Sequence, residues 1–158
     1  ENEGAVKMTY SVNFANYTIG EDAYQNVREV CRHYGKKALL IGGEMALKAG
    51  KEKLIQALAS EIQIVDTVLF GTDCTYARME ELAEHAKKCG ADMIFGMGGG
   101  KALDTAKGTA EKAGLPVFTF PTIAATCAAT TALSVVYKED GNFDSFYFYD
   151  KLVPHSVF

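Results

Sequence analysis

The sequence predicts an α/β domain: a largely parallel sheet flanked by helices, with a β-hairpin near the C-terminus. Three observations carry this. Short apolar runs of strand length alternate with helical apolar patterns through most of the chain. Gly or Pro punctuates most of the junctions between them. The 158 residues, 48% of them apolar, suit one domain with a sizeable core, read here as residues 1–158.

Taken in order, an extended stretch from Tyr10 to Ile19 gives way at Gly20-Glu21-Asp22 to a helix. Ala23, Val27, Val30 and Cys31 form its apolar face, and Gly35 stops it. Ala38-Leu39-Leu40-Ile41 reads as a buried strand ended by Gly42-Gly43. A helix over Met45–Leu58 turns Leu47, Leu54, Ile55 and Leu58 inward. Ile62 to Phe70 is a strand rich in Ile and Val, broken at Gly71-Thr72-Asp73. The helix from Thr75 buries Met79, Leu82, Ala83, Ala86 and Cys89, with Gly90 as its C-cap.

Met93-Ile94-Phe95 is an interior strand that leads directly into glycines and a helix over Ala102–Ala113. Val117-Phe118-Thr119-Phe120 is a strand stopped by Pro121, and the Thr- and Ala-rich segment from Thr122 to Thr131 is a loop. Leu133–Tyr137 and Phe143–Tyr149 pair around the Asp140-Gly141 turn as a hairpin. Val153–Phe158 reads as the start of another strand.

Composition excludes several classes. A net charge of −4 offers nothing to neutralise a run of phosphates, so a nucleic-acid partner is not expected. No segment approaches the roughly 20 apolar residues of a membrane span. The acidic start, Glu1-Asn2-Glu3-Gly4, is not a signal peptide. Cys31, Cys74, Cys89 and Cys127 form no CxxC pair and read as free thiols of a cytoplasmic protein. His33, His85 and His155 show no metal-ligand spacing and read as surface or helix-end residues.

Chemistry concentrates after two strands. In Gly96-Met97-Gly98-Gly99-Gly100-Lys101, a buried strand delivers glycines and then a helix start. Glycine lets a ligand lie against the backbone, the helix N-terminus favours an anion, and Lys101 adds a positive charge. A pyrophosphate suits such a turn. The spacing is not the GxGxxG of the common Rossmann fingerprint, so a merely flexible glycine turn stands as the alternative. Asp104 and Lys107, one turn on, read by themselves as a solvated helix face. The second segment, Pro121 to Thr131, offers the hydroxyls of Thr122, Thr126, Thr130 and Thr131 at the same sheet edge. Alone it is a polar loop.

Together the segments resemble a family. Gly98-Gly99-Gly100-Lys101-x-Leu103-Asp104-Thr105-Ala106-Lys107, Pro121-Thr122-Ile123-Ala124, Thr131–Tyr137 and Phe70-Gly71-x-x-Cys74 are similar to the metal-containing (iron or zinc) alcohol dehydrogenases, above all the glycerol dehydrogenase branch. The resemblance runs from Tyr17 to the end of the chain. It implies a Rossmann-like, dehydroquinate synthase-like N-terminal nucleotide-binding domain, followed by a helical metal-binding domain. In that family an Asp and two His of the helical domain hold zinc or iron, which places those ligands beyond Phe158. The resemblance implies an NAD(P)-dependent oxidoreductase acting on the CH–OH group of a small alcohol or polyol, often as a homo-oligomer. The isolated chain is expected to be inactive.

By matching position, Gly98, Gly99, Gly100, Lys101 and Asp104 would hold the pyrophosphate and the neighbouring cofactor. Thr122, Ala125, Thr131, Leu133 and Tyr137 would line the ribose and nicotinamide. Two positions depart from the family. Glycerol dehydrogenases carry an Asp in the Thr-rich loop where this chain has Cys127. A neutral thiol does not accept from a polyol as a carboxylate does, so this candidate substrate-binding position leaves glycerol itself open. After the first core strand, Gly43 stands where NAD-using relatives often have Asp. Glu44 next to it would repel a 2′-phosphate and favour NAD, although a glycine-containing turn there also occurs in NADP-using relatives. The alternatives are a non-catalytic nucleotide-binding module and a dehydroquinate synthase- or glycerol-phosphate dehydrogenase-like enzyme. The uncharged Thr-rich loop speaks against the latter.

Overall fold

The computed structural model describes residues 16–17, 25–122, 133–148 and 156–157. Ala23, Ala125, Cys127 and Thr131 lie outside them, as does most of the expected extended stretch from Tyr10. The elements are β1 (Asn16–Tyr17), α1 (Gln25–Cys31), β2 (Lys37–Gly42), α2 (Glu44–Leu58), β3 (Gln63–Leu69) and α3 (Tyr76–Cys89). They continue with β4 (Met93–Gly98), α4 (Gly100–Ala113), β5 (Val117–Pro121), β6 (Leu133–Tyr137), β7 (Phe143–Phe148) and β8 (Ser156–Val157). No described helix is long and apolar enough to cross a membrane.

Six strands form one sheet in the order β1-β8-β5-β4-β2-β3, and every pairing in it is parallel. β6 and β7 pair antiparallel as the separate hairpin. The central strands explain the apolar runs in the sequence: every residue of β4 is buried, and β2 is buried after its first residue. A parallel strand covered by helices on both faces needs no polar side, so alternation disappears.

The strand period of two still divides the core. Ala38, Leu40, Phe95, Phe118 and Phe120 face α1 and α2, packing with Val27, Cys31, Leu54 and Leu58. Leu39, Ile41, Ile94 and Val117 face α3 and α4, packing with Leu82, Ala86, Ala106 and Ala110. On the first side Phe95 meets Phe118 and Phe120 edge-on, with ring centroids 5.8 Å and 5.3 Å apart.

α4 is the most enclosed helix. Ala102 to Ala110 are all buried, because the helix lies between the sheet, α3 and the hairpin. Its small residues permit this. A Cβ on Gly96 would fall 2.6 Å from the Ala106 Cβ, so β4 and α4 approach as closely as they do only without that atom.

Several local expectations shift. α4 begins at Gly100 and not Ala102, because the glycines themselves supply its first turn. Ile55 is 44% exposed, since the inward stripe of α2 passes through Leu54 and Leu58 and the neighbouring position points to solvent. Cys89 is half-buried and not part of the buried face of α3. The hairpin turn, the αL C-cap at Gly90 and the strand at the end of the chain are as the sequence predicts.

Gly96→Ala therefore tests the β4–α4 approach. Denaturant unfolding should show a loss of about 1–3 kcal/mol from forced overpacking. An unchanged midpoint would mean that α4 moves away freely.

Candidate functional site

β2 runs on through α2 to β3 on one side of it, while β4 runs through α4 to β5 on the other. The chain thus changes direction between adjacent β2 and β4, and a crevice opens beyond their carboxyl ends. Gly42 and Gly98 end these strands. A Cβ on Gly42 would lie 2.7 Å from the Met97 carbonyl oxygen. Gly98 has φ +144°, and a Cβ there would lie 2.9 Å from the Ala102 Cβ. Backbone bonds tie the strand ends together: Gly43 N–H donates to Met97 O at 3.1 Å, and Thr122 N–H donates to Gly98 O at 3.0 Å.

Two helices start at this crevice. Gly43 caps α2 and Gly99 caps α4, both with extended backbone and neither with a side-chain acceptor. α3 differs: its Thr75 Oγ1 accepts from Arg78 N–H at 3.1 Å. The first-turn N–H groups of α2 and α4 therefore lack a side-chain cap where their positive dipole ends converge. Between them lies a cleft of about 450 Å³. Gly43, Glu44 and Ala46 line one wall, Gly98 to Ala102 the other, and Phe70 and Thr122 the flanks. Backbone donors, little side-chain bulk and no competing cap are features that suit an anion.

Lys101 lines the cleft but is already engaged. Its Nζ donates to Asp73 Oδ1 and lies 4.9 Å from the centroid of the Tyr137 ring. The Asp73 carboxylate holds the lysine pKa above its ordinary value. Lys101 thus joins the loop after β3 to the hairpin. Tyr137 N–H donates to Cys74 O at 2.7 Å, and Cys74, Met79 and Val136 pack beneath it. Burial pushes the Cys74 thiol up to about 12, so this sulfur is packing and not a nucleophile.

Asp104 and Lys107 are not a solvated face. Asp104 is 6% exposed, Lys107 is fully buried, and the two form an ion pair at 2.9 Å. The one-turn spacing is ordinary for a surface pair, but the hairpin and α3 cover this side of α4. Asp104 does not line the cleft.

Of the residues predicted for the cofactor, the structure brings Gly43, Gly98, Gly99, Gly100, Lys101 and Thr122 together around one cleft. Tyr137 stands behind Lys101, and Leu133 pairs with Phe148 in the hairpin. Sequence reasoning missed the roles of Asp73 and Phe70. Asp73 read as a strand breaker, and nothing local connects it to a lysine 28 residues on. Among the described residues, the one His/Cys/Asp/Glu group close enough to hold a metal is Asp66, His85 and Cys89, none of which lines this cleft. The described lining of the cleft itself includes no His or Cys.

Comparison with known proteins identifies the family of the chain. The family model for iron-containing alcohol dehydrogenase matches residues 15–158. Glycerol dehydrogenase of Pseudomonas putida is 35% identical over 130 residues, which cover 82% of this chain and 36% of the relative. Glycolaldehyde reductase of Halobacterium salinarum is 32% identical over 137 residues, covering 87% of this chain and 38% of the relative. The crystal structure of glycerol dehydrogenase from Schizosaccharomyces pombe superimposes with a TM-score of 0.81 at 27% identity, covering 95% of this chain and 38% of that one. The chain thus spans less than two-fifths of the length of these relatives.

The buried pair beside the cleft has a measurable signature. Lys107→Met leaves the Asp104 charge without its ion-pair partner and should cost about 3–5 kcal/mol in urea unfolding. Asp104→Leu combined with Lys107→Met should recover most of that loss. Equal stability of wild type and Lys107→Met would show that the Asp104 side chain does not depend on the Lys107 charge.

Proposed function

The chain belongs to the iron-containing alcohol dehydrogenase family, and from that premise we propose that it is the cofactor-binding domain of an NAD-dependent oxidoreductase acting on the CH–OH group of a small alcohol or polyol. The observation that carries the reading is the convergence of two helix N-termini, each with a glycine cap and no side-chain acceptor, on one cleft at the reversal point of the sheet. A dinucleotide pyrophosphate fits it by charge, by backbone donors and by the absence of Cβ atoms.

The rest of the lining divides by chemistry. Phe70 and the exposed Met45 give an apolar surface on the β3 side, suited to adenine. Glu44 stands in the first turn of α2, where its charge would repel a ribose 2′-phosphate; this favours NAD over NADP. Thr122 presents a hydroxyl on the β5 side, toward the nicotinamide half. The Lys101–Asp73 pair holds the helix start in place and leaves the backbone to bind the anion. Bound NAD would supply the hydride acceptor, and this chain would orient its ring.

The metal chemistry expected of the family is assigned to residues outside the described ones, in a helical domain following this one. A phosphorylated substrate, as in a glycerol-phosphate dehydrogenase, would need cations beside the cofactor. Among the described lining residues Lys101 is the one cation, and Asp73 pairs with it. A cytoplasmic location completes the reading.

Fluorescence titration of the chain with NADH and NADPH tests it. NADH should bind, NADPH should bind at least about fivefold more weakly, and Glu44→Gln should narrow the gap; two like charges at close range are worth about 1 kcal/mol even in water, which is about fivefold in affinity. Equal or tighter binding of NADPH by the wild type would overturn the cofactor preference, and no binding of either would overturn the site. Alcohol oxidation by residues 1–158 alone would overturn the placement of the metal chemistry elsewhere.

A further inference from the structure

At the β3 edge of the sheet, β3 and α3 bring together three donors of different chemistry. Cys89 follows His85 by four residues on α3, so one helical face presents an imidazole and a thiol a single turn apart. Asp66 on β3 completes the group. Its Oδ1 accepts from Thr67 N–H at 2.8 Å, which turns Oδ2 toward His85 Nε2 at 2.7 Å. Cys89 Sγ lies 3.5 Å from the same nitrogen, and the three donor atoms all fall within 4.8 Å of one another.

We infer that Asp66, His85 and Cys89 form a zinc-class transition-metal site, distinct from the cofactor cleft. The donor set is the reason. Carboxylate, imidazole and thiolate together suit a borderline-soft ion, and the sulfur disfavours magnesium and calcium. The spacing agrees: an imidazole nitrogen and a thiolate sulfur on one tetrahedral zinc stand about 3.6 Å apart, given bonds of roughly 2.05 and 2.3 Å. An oxygen and a nitrogen on the same ion stand about 3.4 Å apart, so Asp66 Oδ2 has to withdraw by less than 1 Å. The side chains of His85 and Asp66 are 37% and 43% exposed, so an ion reaches them from solvent and keeps an open position for water.

Three carboxylates and two cations line the cleft beside the group, and Glu84 is paired with Lys87 at 3.3 Å. This cleft is of about 400 Å³, and Glu81 and Glu84 of α3 line it with Asp66 and His85. Arg78 and Lys88 also line it, but Arg78 Nη1 is paired with Glu81 at 2.8 Å. Binding transfers the Cys89 thiol proton to solvent, shifts the His85 ring proton from Nε2 to Nδ1, replaces the Asp66–His85 hydrogen bond with two metal bonds, and moves no electrons. The consequence is a clip. Among the described residues β3 is the edge of the sheet, paired only to β2, and the ion would fasten it to α3.

Cobalt titration of the chain is the test, because a thiolate ligand gives cobalt a near-ultraviolet charge-transfer band that a set of Asp and His ligands does not. One equivalent should produce the band, and zinc should displace it. Cys89→Ser, with unchanged far-ultraviolet circular dichroism, should abolish it. His85→Gln should weaken binding by more than the 10–100-fold, roughly, that losing an outer-shell partner costs. In the unaltered chain, zinc should slow alkylation of Cys89 at least about tenfold. Absence of the band in the wild type, its survival in Cys89→Ser, or an alkylation rate indifferent to zinc would each overturn the site.

Discussion

The close approach of α4 to the carboxyl end of β4 is the constraint on which the rest of the structure depends. It exists because Gly96 and Gly98 put no Cβ between strand and helix, where Ala106 and Ala102 already stand. With the helix seated so deeply, its first turn opens directly over the strand end. Gly42 makes the matching allowance on β2, against the Met97 carbonyl. The cleft is therefore a by-product of packing as much as a loop feature, and its shape is set by atoms that are absent.

That depth has an electrostatic consequence. A helix covered on several sides buries whatever its sequence places in the middle, including the Asp104–Lys107 pair. A pair so placed gains from low dielectric only while both partners are present, because each charge has given up water to be there. At the rim the opposite holds. Lys101 keeps half of its side chain in solvent and uses its charge to hold Asp73, and with it the loop that supports the hairpin. The proposed anion site would then rest on backbone dipoles, which cost no reorganisation when a ligand arrives.

Much of the fold could be read in advance. The fully apolar runs of β2 and β4 allowed no other interpretation than interior parallel strands, and glycines marked the ends of α3 and α4. The glycine turn was legible as a candidate phosphate site, since glycines between a buried strand and a helix let a ligand approach the backbone, with a merely flexible turn as the alternative. Thr122 was legible because it follows a buried strand. Ile55 was not, because a helical stripe defined by apolar identity is wider than the stripe that touches the sheet. Asp104 and Lys107 were misread as solvated because the cover over them comes from α3 and the hairpin, neither of which is near in sequence.

By itself, then, the sequence determined the alternation of strands and helices, the glycine turn and the family that the chain resembles, since each is written in residues close along the chain. Tertiary structure alone decided that β2 and β4 are neighbours. That adjacency brings Gly43 to Gly98 and turns two separate helix starts into a single cleft. It alone also brought Asp73 to Lys101, and Asp66 to His85 and Cys89. The physical reason is common to all three: a contact between side chains 19 or 28 residues apart depends on strand order, and local preferences of φ and ψ carry no information about strand order.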